Sequence, residues 1–320
     1  MWELSRQVND SSDLTDAFNE GIAGLQNRLA MSADGEKFLS DLALFVSEHG
    51  ARGPYEWDAA SETWEVKPDS VLAAIDAMRH ADETLSPANR HAAAVADREA
   101  AEAEVRAIFD GNDEALGALE LGLRTARVLV PGRERTKLTA MMTIHEIRLP
   151  IYELGRRMTE RGALDTPRDI WLVRNAELED FIDNPEAMTQ SIRERGTEFR
   201  ALSDLQDPFI INGEVPPLSE WAQRESSAEP AEAGEELAGV PGSPGVVTGR
   251  ARVVTDPGDP RGLEPGEILV APITDPSWTP LFIPAAGVVV EVGAPLSHSV
   301  IVSREFGIRC VTGILDAVSK

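Results

Sequence analysis

Residues 293–300, Gly-Ala-Pro-Leu-Ser-His-Ser-Val, set one histidine, His298, at the change from an apolar run to a segment of helical spacing. Backbone N–H groups at a helix start lack intrahelical partners, and the helix dipole is positive there. An imidazole held at that point could accept a phosphoryl group on a neutral ring nitrogen and have the oxygens bound by the backbone. Ser297 could cap the helix and also donate to a phosphate. A lone histidine is more often a packing or capping residue, and spacing alone leaves both readings open.

The elements that must position His298 follow from the same pattern. Gly287 to Val292 reads as a short buried strand, Gly293 to Leu296 as a loop, and Ser297 to Phe306 as the helix. Val246 to Thr255, Ile268 to Pro272 and Arg309 to Thr312 read as further strands, with helical turns over Asp275 to Pro284. This is a small α/β unit. Before it, helical spacing recurs in Leu14 to Leu29, Lys37 to Glu48, Ser70 to His80 and Arg90 to Phe109. Two more helices are expected, Asp113 to Val130 and Arg133 to Arg161, separated by Pro131-Gly132, with a kink or break at Pro150 and a C-cap at Gly162. Residues 222–238 are acidic and poor in large apolar side chains, the composition of a flexible linker. The fold class is therefore multidomain, α plus α/β: a mainly helical domain over 1–221, an acidic linker over 222–238 and a small α/β domain over 239–320.

With 320 residues the chain can bury two cores, and 42% hydrophobic with 27% charged residues is ordinary globular composition. No apolar run reaches the ~18–20 residues of a membrane span, and the N-terminus lacks a signal-peptide layout. One cysteine, Cys310, gives no internal disulfide framework and fits the cytoplasm. A formal charge of −25 argues against nucleic acid or an anionic membrane as the main partner. The five histidines show no zinc-site pairing, no EF-hand or His-Glu-x-x-His pattern occurs, and no Walker-type loop appears, so no metal site is expected.

The segment from Gly293 through Ser297-His298 to Arg304-Glu305 and Gly307-Ile308 resembles the phosphohistidine swivelling, or mobile, domain of phosphoenolpyruvate-utilising enzymes. The likeness extends over Gly239 to Gly313, through the entry turn Gly239-Val-Pro-Gly-Ser-Pro-Gly245 and the strand with its Thr-x-Pro sequel from Gly266 to Pro280. The resemblance implies that His298 is the phosphoryl acceptor, with Ser297 and Gly293 supporting the phosphate. In the helical part, His49 to Asp58, Thr63-Trp64, Lys67-Pro68 and Glu153 to Leu178 resemble the middle domain of rifampin phosphotransferase-like proteins. That domain binds the acceptor in the family, which makes Arg52, Glu56 and Asp58 the candidate acceptor-side residues. The same three could instead form a structural ion network, and Trp57 and Trp64 are read as core.

The chain departs from the family pattern at Ser299, where alanine is usual, and at Arg309-Cys310, where proline and a small residue are usual. The small domain is expected to be C-terminally short of its closing strand pair, and no ATP-grasp domain is expected within these residues. The resemblance then implies a phosphotransferase, or a split subunit of one. ATP and Mg²⁺ would sit on a partner ATP-grasp domain or subunit, and a small-molecule hydroxyl would be the acceptor. The alternative is a catalytically silent binding or regulatory relative that keeps the fold.

Overall fold

A computed structural model describes residues 1–206, 208, 211–223, 230–257 and 263–320. The chain packs into two compact units, one formed by Met1–Met142 with Ala231–Val318 and Lys320, the other by Thr143–Pro230 with Ser319.

The first unit opens with helices α1 (Trp2–Asp10), α2 (Ser12–Asn19), α3 (Leu25–Leu29), α4 (Ala33–His49), α5 (Pro68–Arg79) and α6 (Pro87–Ile108). Their starts are written locally: Ser11, Ser32 and Ser86 each accept an N–H of the first turn, and Pro68 and Pro87 fill first positions. The expected helix over 14–29 is two helices, because Gly21 (φ 95°) and Gly24 (φ 70°) take left-handed backbone between them. α1 lies ahead of the region read as helical. Leu4, Val8, Leu14, Phe18, Leu25, Phe38, Leu42, Val71, Leu72 and Ile75 close one core, with the Phe18 and Phe38 rings edge-to-face at 5.6 Å.

Helix α7 runs unbroken from Asp113 to Glu160. The separation expected at Pro131-Gly132 and the break at Pro150 do not occur. A proline in a helix costs ~3 kcal/mol; around Pro150 the burial of Met141, His145, Arg148 and Met158 holds the helix against that cost. Gly162 ends the helix in left-handed backbone (φ 80°), with its N–H on the Thr159 carbonyl and the Ala163 N–H on that of Met158. In the second unit, α8 (Leu178–Asp183) and α9 (Thr189–Ala201) pack on a core of Met158, Ala163, Leu164, Ile170, Phe181 and Ile192. Short strands β1 (Leu205–Gln206) and β2 (Ala222–Gln223) pair antiparallel.

The α/β region carries β3 (Val240–Ser243), β4 (Ala251–Val253), β5 (Ile268–Ala271), α10 (Thr279–Phe282), β6 (Gly287–Val290), α11 (His298–Phe306) and β7 (Arg309–Thr312). The sheet order is β3-β7-β6-β5-β4, parallel except for β3. Two of its five strands differ from expectation. The glycine-rich entry turn forms β3 along the edge of β7, and β4 is three residues long rather than ten. Alternation sorts the faces. Leu269, Ala271, Val288, Val290 and Cys310 pack with Phe282 and Val300, whereas Val270, Val289 and Val311 meet Ile314, Ala317 and Val318.

Within the acidic segment 222–238, residues 224–229 lie outside the described residues. From Ala231 the backbone is held to the C-terminus, through the Ala231 N–H on the Lys320 carbonyl at 2.8 Å and the Glu235–Lys320 ion pair at 2.6 Å.

Candidate functional site

Parallel strands present the carboxyl ends of their ladders at one edge, the usual location of sites in such sheets. Here that edge gathers Thr274 after β5, Gly293 to His298 after β6, and Thr312 at the end of β7. His298 is the first residue of α11 and Ser297 its N-cap, in extended backbone. The Ser297 hydroxyl makes no cap hydrogen bond and instead lies 3.0 Å from the Ser299 hydroxyl. Gly293 fits closely: a Cβ there would lie 2.9 Å from Thr312 Cβ and 3.2 Å from Ser297 Oγ.

The imidazole is half-buried between two hydroxyls. His298 Nδ1 is 3.1 Å from Thr274 Oγ1 and Nε2 is 3.4 Å from Thr279 Oγ1, while the Phe282 ring meets it edge-on at 5.8 Å. Burial first, and then the positive charges of Lys137 on α7 and of Arg52, together pull the His298 pKa down to about 4. The ring is therefore neutral at pH 7, with a lone pair on one nitrogen and a proton on the other. A neutral imidazole beside two cations can act as a nucleophile toward an anionic phosphoryl group, whose charge those cations would stabilise.

Arg52 lies in the loop between α4 and α5. That loop is closed by the Trp64 N–H on the Arg52 carbonyl (2.7 Å) and the Glu65 N–H on the Gly50 carbonyl (3.1 Å). The Arg52 guanidinium donates to both oxygens of Glu56, at 2.9 and 3.1 Å, and Lys137 Nζ stands 3.6 Å from the same carboxylate. Glu56 is 1% exposed. Asp58 is exposed and accepts the Ala60 N–H at 2.9 Å inside its own turn. Of the three acceptor-side candidates, the structure brings Arg52 toward His298, makes Glu56 a buried counter-ion, and leaves Asp58 in a surface turn.

A cavity of about 370 Å³ adjoins this arrangement, lined among others by Phe45, His49, Arg52, Trp64, Thr279 and Ile283. Trp64 thus borders open space, and Trp57, expected in the core, is 57% exposed. Sequence reasoning missed three contributors. Thr274 and Thr279 stood inside the quoted Gly266 to Pro280 segment, but nothing in spacing aims them at the histidine. Lys137 lies 161 residues before His298 on a helix without a local motif, so only the packing finds it. Arg304 donates to the Gly242 carbonyl (2.8 Å) and the Pro295 carbonyl (3.3 Å), tying α11 to β3 and to the loop before it. Among the described residues no cluster of His, Cys, Asp or Glu could hold a metal ion, and no helix is long and apolar enough to cross a membrane.

Comparison with known proteins places these features. Residues 1–134 match the family model of the rifampicin phosphotransferase fourth domain, and residues 263–320 that of the mobile domain of PEP-utilising enzymes. The chain is related to the phosphoenolpyruvate-utilising enzymes, in a rifampicin phosphotransferase-like arrangement. It is 27% identical over 319 residues to a rifampicin phosphotransferase of Streptomyces sviceus, covering 94% of this chain and 35% of the relative. It is 31% identical over 291 residues to the prodigiosin synthesizing transferase PigC of Serratia marcescens, covering 87% of this chain and 31% of the relative. A protein of Mycobacterium bovis is 39% identical over 197 residues, 61% of this chain and 22% of its own. The chain therefore spans about a third or less of the length of these relatives. His298 falls within the mobile-domain match, and Arg52 and Glu56 within the fourth-domain match.

Proposed function

We propose that this chain is the carrier and acceptor portion of a phosphotransferase, in which His298 takes a phosphoryl group and passes it to a small-molecule hydroxyl. The observation that carries the reading is the placement of a neutral imidazole at a helix start, beside Lys137 and Arg52, next to a largely apolar cavity. Nε2 is the ring nitrogen on the side of Thr279, which lines that cavity, so Nε2 is the nucleophile. The hydrogen bond between Nδ1 and Thr274 fixes the ring plane, and with the Nδ1 proton donated to Thr274 Oγ1 the Nε2 lone pair faces Thr279.

In the first half-reaction the Nε2 lone pair forms the N–P bond while the bond from phosphorus to its donor oxygen breaks. In the second, the acceptor hydroxyl oxygen attacks phosphorus, the N–P bond breaks and the electron pair returns to Nε2. The acceptor's proton leaves to solvent. Dividing one displacement into two lets each occur in its own site. Ser297 and the first backbone N–H groups of α11 would bind the phosphoryl oxygens, and Gly293 keeps that approach open. Arg52, balanced by Glu56, faces the transferring group, and Asp58 shapes the loop that presents it.

Charging would come from an ATP-grasp domain or subunit that holds ATP and Mg²⁺; no step on the residues described here is assigned to either. The carrier, residues 239–320, would travel between that site and the helical region. Apolar walls with Phe45 and Trp64 favour an apolar, aromatic acceptor, and the names of the relatives, rifampicin phosphotransferase and prodigiosin synthesizing transferase, are consistent with a small-molecule acceptor. Action in the cytoplasm fits the free, buried Cys310. Treatment with phosphoramidate, which phosphorylates histidine chemically, tests the nucleophile. The peptide containing His298 should gain an acid-labile ~80 Da and lose it in His298→Ala; a His298 peptide that stays unmodified while other histidines react counts against the assignment.

A further inference from the structure

The carrier region and the loop between α4 and α5 meet at a directional contact that the chemistry above does not use. Tyr55 has φ 51°, left-handed backbone for a non-glycine residue. Its carbonyl is held inside the loop by the Asp58 N–H (2.8 Å) and the Ser61 hydroxyl (2.9 Å). Its N–H points out of the loop and donates to Asp275 Oδ2 at 2.8 Å. The other oxygen, Oδ1, accepts the Ser277 N–H at 2.9 Å and the Ser277 hydroxyl at 2.5 Å, capping the turn that leads into α10. Thr274 precedes Asp275 directly and Thr279 opens α10, so one carboxylate sits between the two hydroxyls that hold His298.

The rest of this interface is less directional. Arg90 donates to the Ile283 carbonyl (3.0 Å) and stacks over Phe306 at 5.4 Å, and Met78, Ala81 and Ile283 form an apolar cluster. Such contacts hold two surfaces together without fixing a single register. A carboxylate accepting a backbone N–H of fixed direction does fix one.

We propose that Asp275 is the positioning residue that registers the His298 carrier on the Tyr55 loop, with Oδ1 shaping the threonine-bearing turn and Oδ2 capturing the Tyr55 N–H. Its role in phosphoryl delivery rests on the carrier reading of His298, whereas the contact itself is tested without any phosphoryl transfer. When the contact is made, Arg52 and Lys137 are brought to the imidazole; when it is broken, their effect on the ring weakens.

Asp275→Asn separates the two halves of this carboxylate. Asparagine remains a good helix cap through its carbonyl oxygen, but its NH₂ then faces the Tyr55 N–H, donor against donor. The measurements are amide hydrogen exchange at Tyr55, Ser277 and Trp64, and the NMR titration of His298. The expected result in Asp275→Asn is Tyr55 exchange about tenfold faster, with Ser277 and Trp64 unchanged and the His298 midpoint moved up toward 6.5. Tyr55→Gly keeps both the N–H and the left-handed backbone, and should leave the His298 midpoint where it is. Unchanged Tyr55 exchange overturns the proposal. Equal acceleration at Tyr55 and Ser277 also overturns it, because Asp275 would then only build its own turn.

Discussion

A half-buried neutral imidazole flanked by two cations is costly to protonate, and that cost is measurable in stability as well as in chemistry. The folded-state pKa of His298 is about 4 against an ordinary value near 6.5. As pH falls below 6.5 the unfolded chain takes up a proton that the folded chain refuses, so stability declines through that window and levels off below about 4. His298→Gln should flatten this limb of the stability–pH curve between 6.5 and 4 in urea titrations, and an unchanged slope would show that the ring is not buried in solution. Thr274→Val removes the Nδ1 partner and should slow phosphorylation of His298 about tenfold, the scale of one lost hydrogen bond, with little change in melting temperature. How far the sequence reached is clearest at this scale. The turn that carries Ser297 and His298 was legible as a local strand-to-helix pattern, whereas Arg52 was singled out only through the resemblance of its loop. Lys137 and the orientation of Thr274 and Thr279 were not legible, since they arise from contacts between segments remote in sequence.

Elements explain why so short a region can hold the ring still. Parallel strands β5, β6 and β7 bring Thr274, the 293–298 turn and Thr312 to one edge, and α11 begins where β6 releases the chain. Gly293 is the tightest point of that turn. Gly293→Ala would set a methyl group 2.9 Å from Thr312 Cβ and crowd Ser297 Oγ. The expected cost is about 1–3 kcal/mol of overpacking, seen as a lower urea midpoint together with slower His298 phosphorylation. A full-rate, fully stable variant would show that the turn has slack. Periodicity located most helices, and the buried runs located β5, β6 and β7. It erred where the backbone signal was read too literally. Pro131, Gly132 and Pro150 do not stop α7, which runs on to Glu160. Gly239 to Gly245 reads as a turn on composition, yet Val240–Ser243 finds an open edge on β7 and pairs with it.

At the scale of the molecule, the question is how one histidine serves two sites. In the proposed function the cavity beside Thr279 and Arg52 would supply the acceptor side, and its aromatic wall should control acceptor binding rather than charging. Trp64→Ala is expected to raise the acceptor KM roughly tenfold, as loss of an aromatic anchor does, while His298 is charged at the wild-type rate; equal loss in both steps would assign Trp64 to structure alone. The tie of Ala231 and Glu235 to Lys320 joins the start of the region that would move to its end. The most direct test of the carrier is intact mass after incubation with ATP, Mg²⁺ and an ATP-grasp domain taken from a rifampicin phosphotransferase. The wild-type chain should gain an acid-labile ~80 Da, mapped to His298, and His298→Ala should gain nothing. Undiminished phosphorylation of His298→Ala, or an acid-stable product on another residue, would contradict the assignment of His298 as the phosphoryl carrier.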